Sequence, residues 1–264
     1  MPDSEAKGAP EPALSTLTLT ALPGIGEIEP GDDLAAILTE ALRRLTVTPG
    51  RRDVLVVAQK VVSKAEGRYV SLESVTVSAR AAELAALARK DARVVELVLR
   101  ESAEVLRVKR DVLIVRHRLG YVMANAGIDR SNVGGNDRVL LLPADPDGSA
   151  EALRASILQR YGFEIGVIIS DSFGRPWRKG VTNVALGAAG VPALLDRRGE
   201  PDRNGRRLEV TEVALADQLA SAAGLLMGEG AESRPAVLIG GLTLTAAPVP
   251  AARLIRPLEE DLFR

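Results

Sequence analysis

The chain has 264 residues, enough to bury a substantial core as one large domain or two closely joined small ones. With 46% apolar residues, 26% charged residues and a net charge of -1, it carries no global electrostatic pull toward nucleic acid or an anionic membrane, so any anion site has to be local. The absence of cysteine excludes disulfides, thiolate nucleophiles and Cys-ligated metals and fits a reducing cytoplasm; the single His117 excludes multi-His centres, leaving oxygen ligands that favour Mg²⁺, Mn²⁺ or Ca²⁺.

In chain order, residues 1–13 are polar and rich in Pro and Ala, read as a flexible leader ahead of a folded domain over residues 14–264. "LPGIGEIEPGDD", Leu22 to Asp33, is a Gly/Pro loop before a helix, whose unpaired N–H groups suit an anion. The helix "GDDLAAILTEALRRL" follows, with Asp32 and Asp33 as caps and Arg43 and Arg44 at its end. "DVLVVA", Asp53 to Ala58, reads as a buried strand, and "AQKVVSKAEGR" then places Lys60 and Lys64 on one face if it turns helical. Next come the helical pattern "VSARAAELAALARK", the strand "DVLIV" at Asp111 to Val115, and "VRHRLGY", where His117 reads as a packing residue. "SAEALRASILQRYG" reads as a helix capped by Ser149 and stopped by Gly162, and "IGVIIS", Ile165 to Ser170, as a strand. "LLDRRGEPDRNGRRLEV" has the turn signals of an exposed hairpin. "TEVALADQLASAAGLLMG" reads as a buried helix ended by Gly228, and "AVLIGG" from Ala236 as a last strand. No window reaches about 18 consecutive apolar residues, so no membrane span is expected. The alternation of helix and strand is too irregular for a doubly wound sheet, and the expected class is α+β with mixed sheets and packed helices.

Chemistry concentrates in a few places. Asp171 and Ser172 directly follow a buried strand, where a carboxylate either caps a turn or points into a cleft whose divalent ion relieves its desolvation. Arg175, Arg178 and Lys179 in the following "FGRPWRKG" form a local cluster of cations suited to phosphate or carboxylate oxygens, or simply a solvated basic loop. Phe173 and the single Trp177 lie among them. "ANAGIDRSNVGG" offers Asp129, Ser131 and Asn132 in a small-residue turn, and two carboxylates from separate loops can share an ion. Glu229 and Glu232 in "MGEGAES" add oxygen ligands or remain surface carboxylates. Neither GxGxxG nor GxxxxGK[ST] is present, which removes the common dinucleotide and P-loop signatures.

Taken in order, "LPGIGEIEPGDDL", "QKVVSKAEGR", "GYVMANAGIDRSNV", "LLPADPDGSA", "ISDSFGRPWRKG" and "VTEVALADQLASAAGLLMGE" resemble the coenzyme F420-0:L-glutamate ligase family, the F420 gamma-glutamyl ligases. The resemblance implies an α+β fold of two interlocked subdomains and a homodimer. It also implies a GTP-dependent, GDP-forming ligase that joins L-glutamate to the phospholactate carboxylate of coenzyme F420-0, with further gamma-linked glutamates possible in principle. Mg²⁺ or Mn²⁺, as two ions, is implied as the cofactor, with K⁺ as a further candidate. By motif position Asp129 and Asp171 become metal ligands, Ser172 a ligand of a second ion and Glu229 a further one. Leu22, Pro23, Gly24, Ile25, Gln59, Lys64 and Asn132 become nucleotide contacts, and the loop from Met227 to Ser233, with Met227, Gly228, Glu229 and Gly230 as its contacts, closes over the site. Asp129, Asp171 and Arg175 are the residues expected to act on the reacting groups. Gln59 stands where some relatives have Ser. A stand-alone form is expected, without the C-terminal flavin-binding domain that some relatives carry. The alternatives are a nucleotide-dependent ligase with another acceptor, a metal-dependent phosphohydrolase and a non-catalytic nucleotide-binding protein.

Overall fold

The computed structural model describes residues 16–46, 48–130, 137–162 and 164–261; the leader, Ser131 and Asn132 lie outside them. In chain order the elements are β1 (Thr18–Ala21), α1 (Leu34–Arg43), β2 (Val54–Ala58), α2 (Gln59–Ala65), β3 (Tyr69–Ser71), α3 (Ala79–Ala88), α4 (Ala92–Arg100), β4 (Ser102–Lys109), β5 (Val112–His117) and β6 (Val122–Ala124). They continue with β7 (Arg138–Leu140), α5 (Pro146–Tyr161), β8 (Gly166–Arg175), β9 (Arg178–Ala189), β10 (Leu195–Asp196), β11 (Glu212–Val213), α6 (Leu215–Met227) and β12 (Ala236–Gly240). The fold is α+β with several sheets, as the sequence leads one to expect, although only the five-stranded sheet is mixed and the smaller ones are antiparallel.

The organising element is a five-stranded sheet in the order β1-β12-β2-β8-β9. Only β2 and β8 run parallel; the other neighbours are antiparallel. Val54, Leu55, Val56 and Val57 are all fully buried, which explains why β2 is apolar without alternation: both faces of the sheet are covered. Leu55 and Val57 face a core shared with α1 and α5, while Val54 and Val56 face one shared with α6. A second unit packs α3 and α4 on the β4-β5-β6 sheet around Leu84, Val95, Val98, Leu113 and Val115. Tyr121, Met123, Leu142 and Leu186, with Phe173 against them, join this unit to the large sheet.

The elements begin and end where side chains satisfy the backbone. Asp33 accepts from Ala36 N–H to start α1, Ser78 and Asp91 start α3 and α4, and Gly162 at φ 85° ends α5. Three expectations are corrected. Helix α5 starts at Pro146 under an Asp145 cap, because Pro is preorganised for the first helical position; Ser149 lies inside, its hydroxyl bonded to the Glu66 carboxylate. Helix α6 begins only at Leu215, because Glu212–Val213 is taken up in pairing with Leu195–Asp196. Strand β8 does not end at Ser170 but runs on to Arg175, forming a long hairpin with β9 through a turn at Pro176–Trp177. Its outer half is polar because pairing with β9 satisfies the backbone there without apolar burial on both faces. The register shift between Ile169 and Ser170 redirects side chains just where the polar part begins.

One carboxylate ties this architecture together. Asp147, in the first turn of α5, accepts N–H bonds from Ala188 at 2.8 Å, Ala251 at 2.8 Å and Ala252 at 3.1 Å. The close approach of α5 to β9 requires Gly187, where a Cβ would sit 2.1 Å from the Pro146 carbonyl oxygen. Asp147→Ala strands those donors, and urea denaturation is expected to show a loss of about 2–4 kcal/mol in unfolding free energy.

Candidate active site

The parallel pair determines where a site can form. The β2–β8 pairing stops at Ala58 and Ser170, where β2 gives way to α2 and β8 continues with β9 alone, and the crevice beyond the carboxyl end of such a parallel pair is open to a ligand. A cavity of about 860 Å³ lies there. Its floor is Ser170, Asp171 and Ser172 from β8; its walls are α2, the segment Ile25–Ile28, Asp129, Asn183 of β9 and the stretch from Met227 to Pro235 after α6.

Helix α2 follows β2 without a loop and turns its polar side to the cavity. Gln59 is buried and its Oε1 accepts from Ser63 Oγ at 2.9 Å, which fixes the amide's orientation. Lys60 Nζ lies 2.6 Å from Asp129 Oδ2. Asp129 exchanges both backbone hydrogen bonds with Leu140, at 2.9 Å each, so its position is rigid. One turn along α2, Lys64 is buried and its ammonium is bonded to the Glu27 carboxylate. Across the cavity Gly228, at φ 71°, ends α6, and Glu232 folds back to accept from Gly230 N–H at 2.8 Å.

Asp171 is the electrostatic focus. Burial pushes its carboxyl up to about 7, and repulsion by Asp129 and Glu229 adds to this against the opposing pull of the Ser172 N–H and Lys60. Among the described residues no group of three or more His, Asp or Glu side chains is close enough to form a complete cage. The residues present nevertheless fit a hard cation, since two carboxylates and the Ser172 hydroxyl converge on one cavity as oxygen donors, and Mg²⁺ in particular keeps waters and ligand phosphates in its remaining positions.

Of the residues singled out in the sequence, the cavity brings together Ile25, Gln59, Lys64, Asp129, Asp171, Ser172, Met227, Gly228, Glu229 and Gly230. Leu22 is placed instead in the core beneath, with its N–H bonded to Ala236 O, and Gly24 faces the Arg44 guanidinium; neither they nor Pro23 lines the wall. Arg175 stands at the end of β8, outside the cavity lining, with a buried Nη1 that has no acceptor among the described residues. His117 is fully buried at the end of β5 in the second unit, its Nδ1 accepting from Leu119 N–H. Lining residues that sequence reasoning passed over are Glu27, Ser170, Asn183 and Arg234, whereas Ser233 ends the loop expected to close over the site. Glu27 lies within the quoted Gly/Pro loop and Arg234 just after "MGEGAES", so adjacency was their only signal; Asn183 becomes visible only through its pairing with Ser172.

The sequence matches the model of the F420-0:Gamma-glutamyl ligase family over residues 24–241, a span that includes every described wall of this cavity. The chain belongs to that family. A relative from Methanopyrus kandleri, a coenzyme F420:L-glutamate ligase, is 46% identical over 95% of this chain and 99% of its own. Relatives of the same name from Methanothermobacter thermautotrophicus and Archaeoglobus fulgidus are 43% and 46% identical, over 94% and 91% of this chain and 99% and 94% of theirs. An F420-0:gamma-glutamyl ligase family member thus places its cavity at the one parallel strand pair of the large sheet.

The raised Asp171 carboxyl has a measurable consequence. It binds its proton more tightly in the folded chain than in the unfolded one, so its contribution to stability is fully present below about pH 4 and is lost as pH rises through about 7. Without divalent ions, Asp171→Asn is expected to be more stable than the wild type at pH 8 by on the order of 2–4 kcal/mol, and nearly equal to it at pH 4. Chemical denaturation across this range, with a chelator present, measures the difference.

Proposed function

We propose that this chain joins L-glutamate to the phospholactate carboxylate of coenzyme F420-0 at the expense of GTP, releasing GDP and phosphate, and that it adds further gamma-linked glutamates. The observation that carries this reading is the meeting of two carboxylates, a hydroxyl and two lysines around one cavity, in a chain whose relatives bear the name coenzyme F420:L-glutamate ligase. The choice of GTP rests on the family resemblance.

A carboxylate is a poor acyl donor because oxide would have to leave. In the proposed sequence a carboxylate oxygen of the acceptor attacks the γ-phosphorus and GDP leaves, giving an acyl phosphate. The neutral amine of glutamate then attacks the acyl carbon, the C–O bond to phosphate breaks, and the amide loses a proton. Asp129, Asp171 and Ser172 would hold Mg²⁺ or Mn²⁺, with Glu229 as a further oxygen donor, and when bound the ion supplies charge neutralisation at the phosphate oxygens. Lys60 and Lys64 would add positive charge on the α2 side, and Gln59, Ile25 and the Met227–Gly230 stretch would enclose the nucleotide. Asn132 is proposed to join these contacts. Arg175, outside the cavity lining, is assigned to an anionic part of the acceptor or the incoming glutamate on the family resemblance alone. The chain's contribution is to position reactants and to offset their mutual repulsion.

No helix among the described residues is long and apolar enough to cross a membrane, and a cytoplasmic location is proposed. A homodimer is proposed as well, supported by exposed apolar residues on the hairpin and α6: Trp177 at 86%, Val181 at 50% and Leu225 at 84% exposure. Light scattering after size exclusion is expected to give twice the chain mass, and Leu225→Glu to shift it toward one chain.

The purified chain incubated with GTP, Mn²⁺, coenzyme F420-0 and L-glutamate is expected to yield glutamylated product by mass spectrometry, and Asp171→Asn to reduce its rate by at least about 10²-fold while remaining folded. Undiminished product from the variant removes the metal assignment. Phosphate release without amide indicates a phosphohydrolase, product with another acid a ligase of different acceptor, and GTP binding without turnover a non-catalytic protein.

A further inference from the structure

The ion pair between Lys64 and Glu27 is asymmetric. The Lys64 side chain is 6% exposed and that of Glu27 69% exposed. An ammonium removed from water has to keep an anionic partner, whereas an exposed carboxylate returns to water at little cost. The backbone around Glu27 is pinned on both sides: Leu22 and Ile28 are buried, and Gly31 N–H donates to Ala65 O at the end of α2, at 2.9 Å. Between the pins the Glu27 side chain is largely exposed, so its carboxylate can swing into water without moving the backbone. Both Glu27 and Lys64 face the cavity.

The neighbouring pair differs. Lys60 and Asp129 are both part-buried, and Asp129 is fixed on Leu140 by two backbone hydrogen bonds. Its side chain is 22% exposed against 69% for Glu27, so releasing it to water costs more.

We infer that Glu27 is an internal competitor for the ligand: in the empty cavity its carboxylate occupies the place on Lys64 that a phosphate group of the substrate takes. This inference rests on the proposed use of a nucleoside triphosphate. Binding is then an exchange of one anion for another on a buried cation, and the charge on Glu27 sets how tightly the polyphosphate is held. Neutralising Glu27 makes Lys64 available to the ligand, while the free chain loses the partner of a buried ammonium. A purely structural tether predicts the second effect without the first.

Calorimetric titration of inorganic triphosphate and of GTP, each with Mg²⁺, into the wild type, Glu27→Gln and Glu29→Gln tests this. Glu29 is exposed on the same segment and lies outside the cavity lining. The expected result is binding of both ligands about 5- to 20-fold tighter in Glu27→Gln and unchanged in Glu29→Gln. The thermal midpoint of free Glu27→Gln is expected below that of the wild type, with a larger rise on adding triphosphate. Equal or weaker binding of triphosphate by Glu27→Gln overturns the inference. If that result comes with normal GTP turnover by the wild type, the competitor role alone falls; if the wild type binds neither triphosphate nor GTP, the nucleotide reading falls and the competitor role with it. Should Glu27→Gln not fold, Glu27→Asp, whose shorter side chain draws the charge away from Lys64, is read by the same criteria.

Discussion

A carboxylate built into the end of a buried strand has to find a cation, keep its proton or destabilise the chain that carries it. Asp171 stands one residue past the last β2–β8 pair, held by its pairing with Val184 of β9, so its side chain is fixed at the cavity. The rest of the cavity is arranged around this constraint. Asp129 and Glu229 make the negative charge harder to bear, Lys60 makes it easier, and the balance leaves the carboxyl raised well above its ordinary range. A group so placed is stabilised by a proton or by a cation, so the proposed affinity for a divalent ion and the instability expected without it would share one origin.

The scaffold makes such a position tolerable. β2 and β8 are covered on both faces, by α1 and α5 on one side and α6 on the other, so the strand ends that carry the polar groups rest on a rigid apolar base. Asp147 links α5 to β9 and to the segment at Ala251 through charge-assisted hydrogen bonds. The polar half of the β8–β9 hairpin then projects beyond this base, where pairing rather than burial maintains its shape.

Much of the large sheet was legible because buried strands announce themselves as short runs of Val, Ile and Leu, as in Asp53 to Ala58 and Ile165 to Ser170. Caps at Asp33 and Gly162 were legible for the same local reason. The continuation of β8 was not, because the residues after Ser170 carry no apolar pattern and their extended form is imposed by a partner strand. Helix α4 also escaped, although its Asp91 cap is a local signal. For the site, type and spacing selected Asp129, Asp171 and Lys64, whereas Asn183 and Glu27 depend on contacts that sequence distance conceals. Leu22 shows the converse: it stands in a loop of ligand-binding character, yet its side chain packs in the core.

The hairpin tip carries the only tryptophan in the chain, 86% exposed and far from the buried cores. Intrinsic indole emission is therefore nearly blind to loosening of the sheet interior and sensitive to whatever comes to rest against the turn at Pro176–Trp177. A fluorescence change in this protein would report an encounter at the tip before it reported loss of the fold.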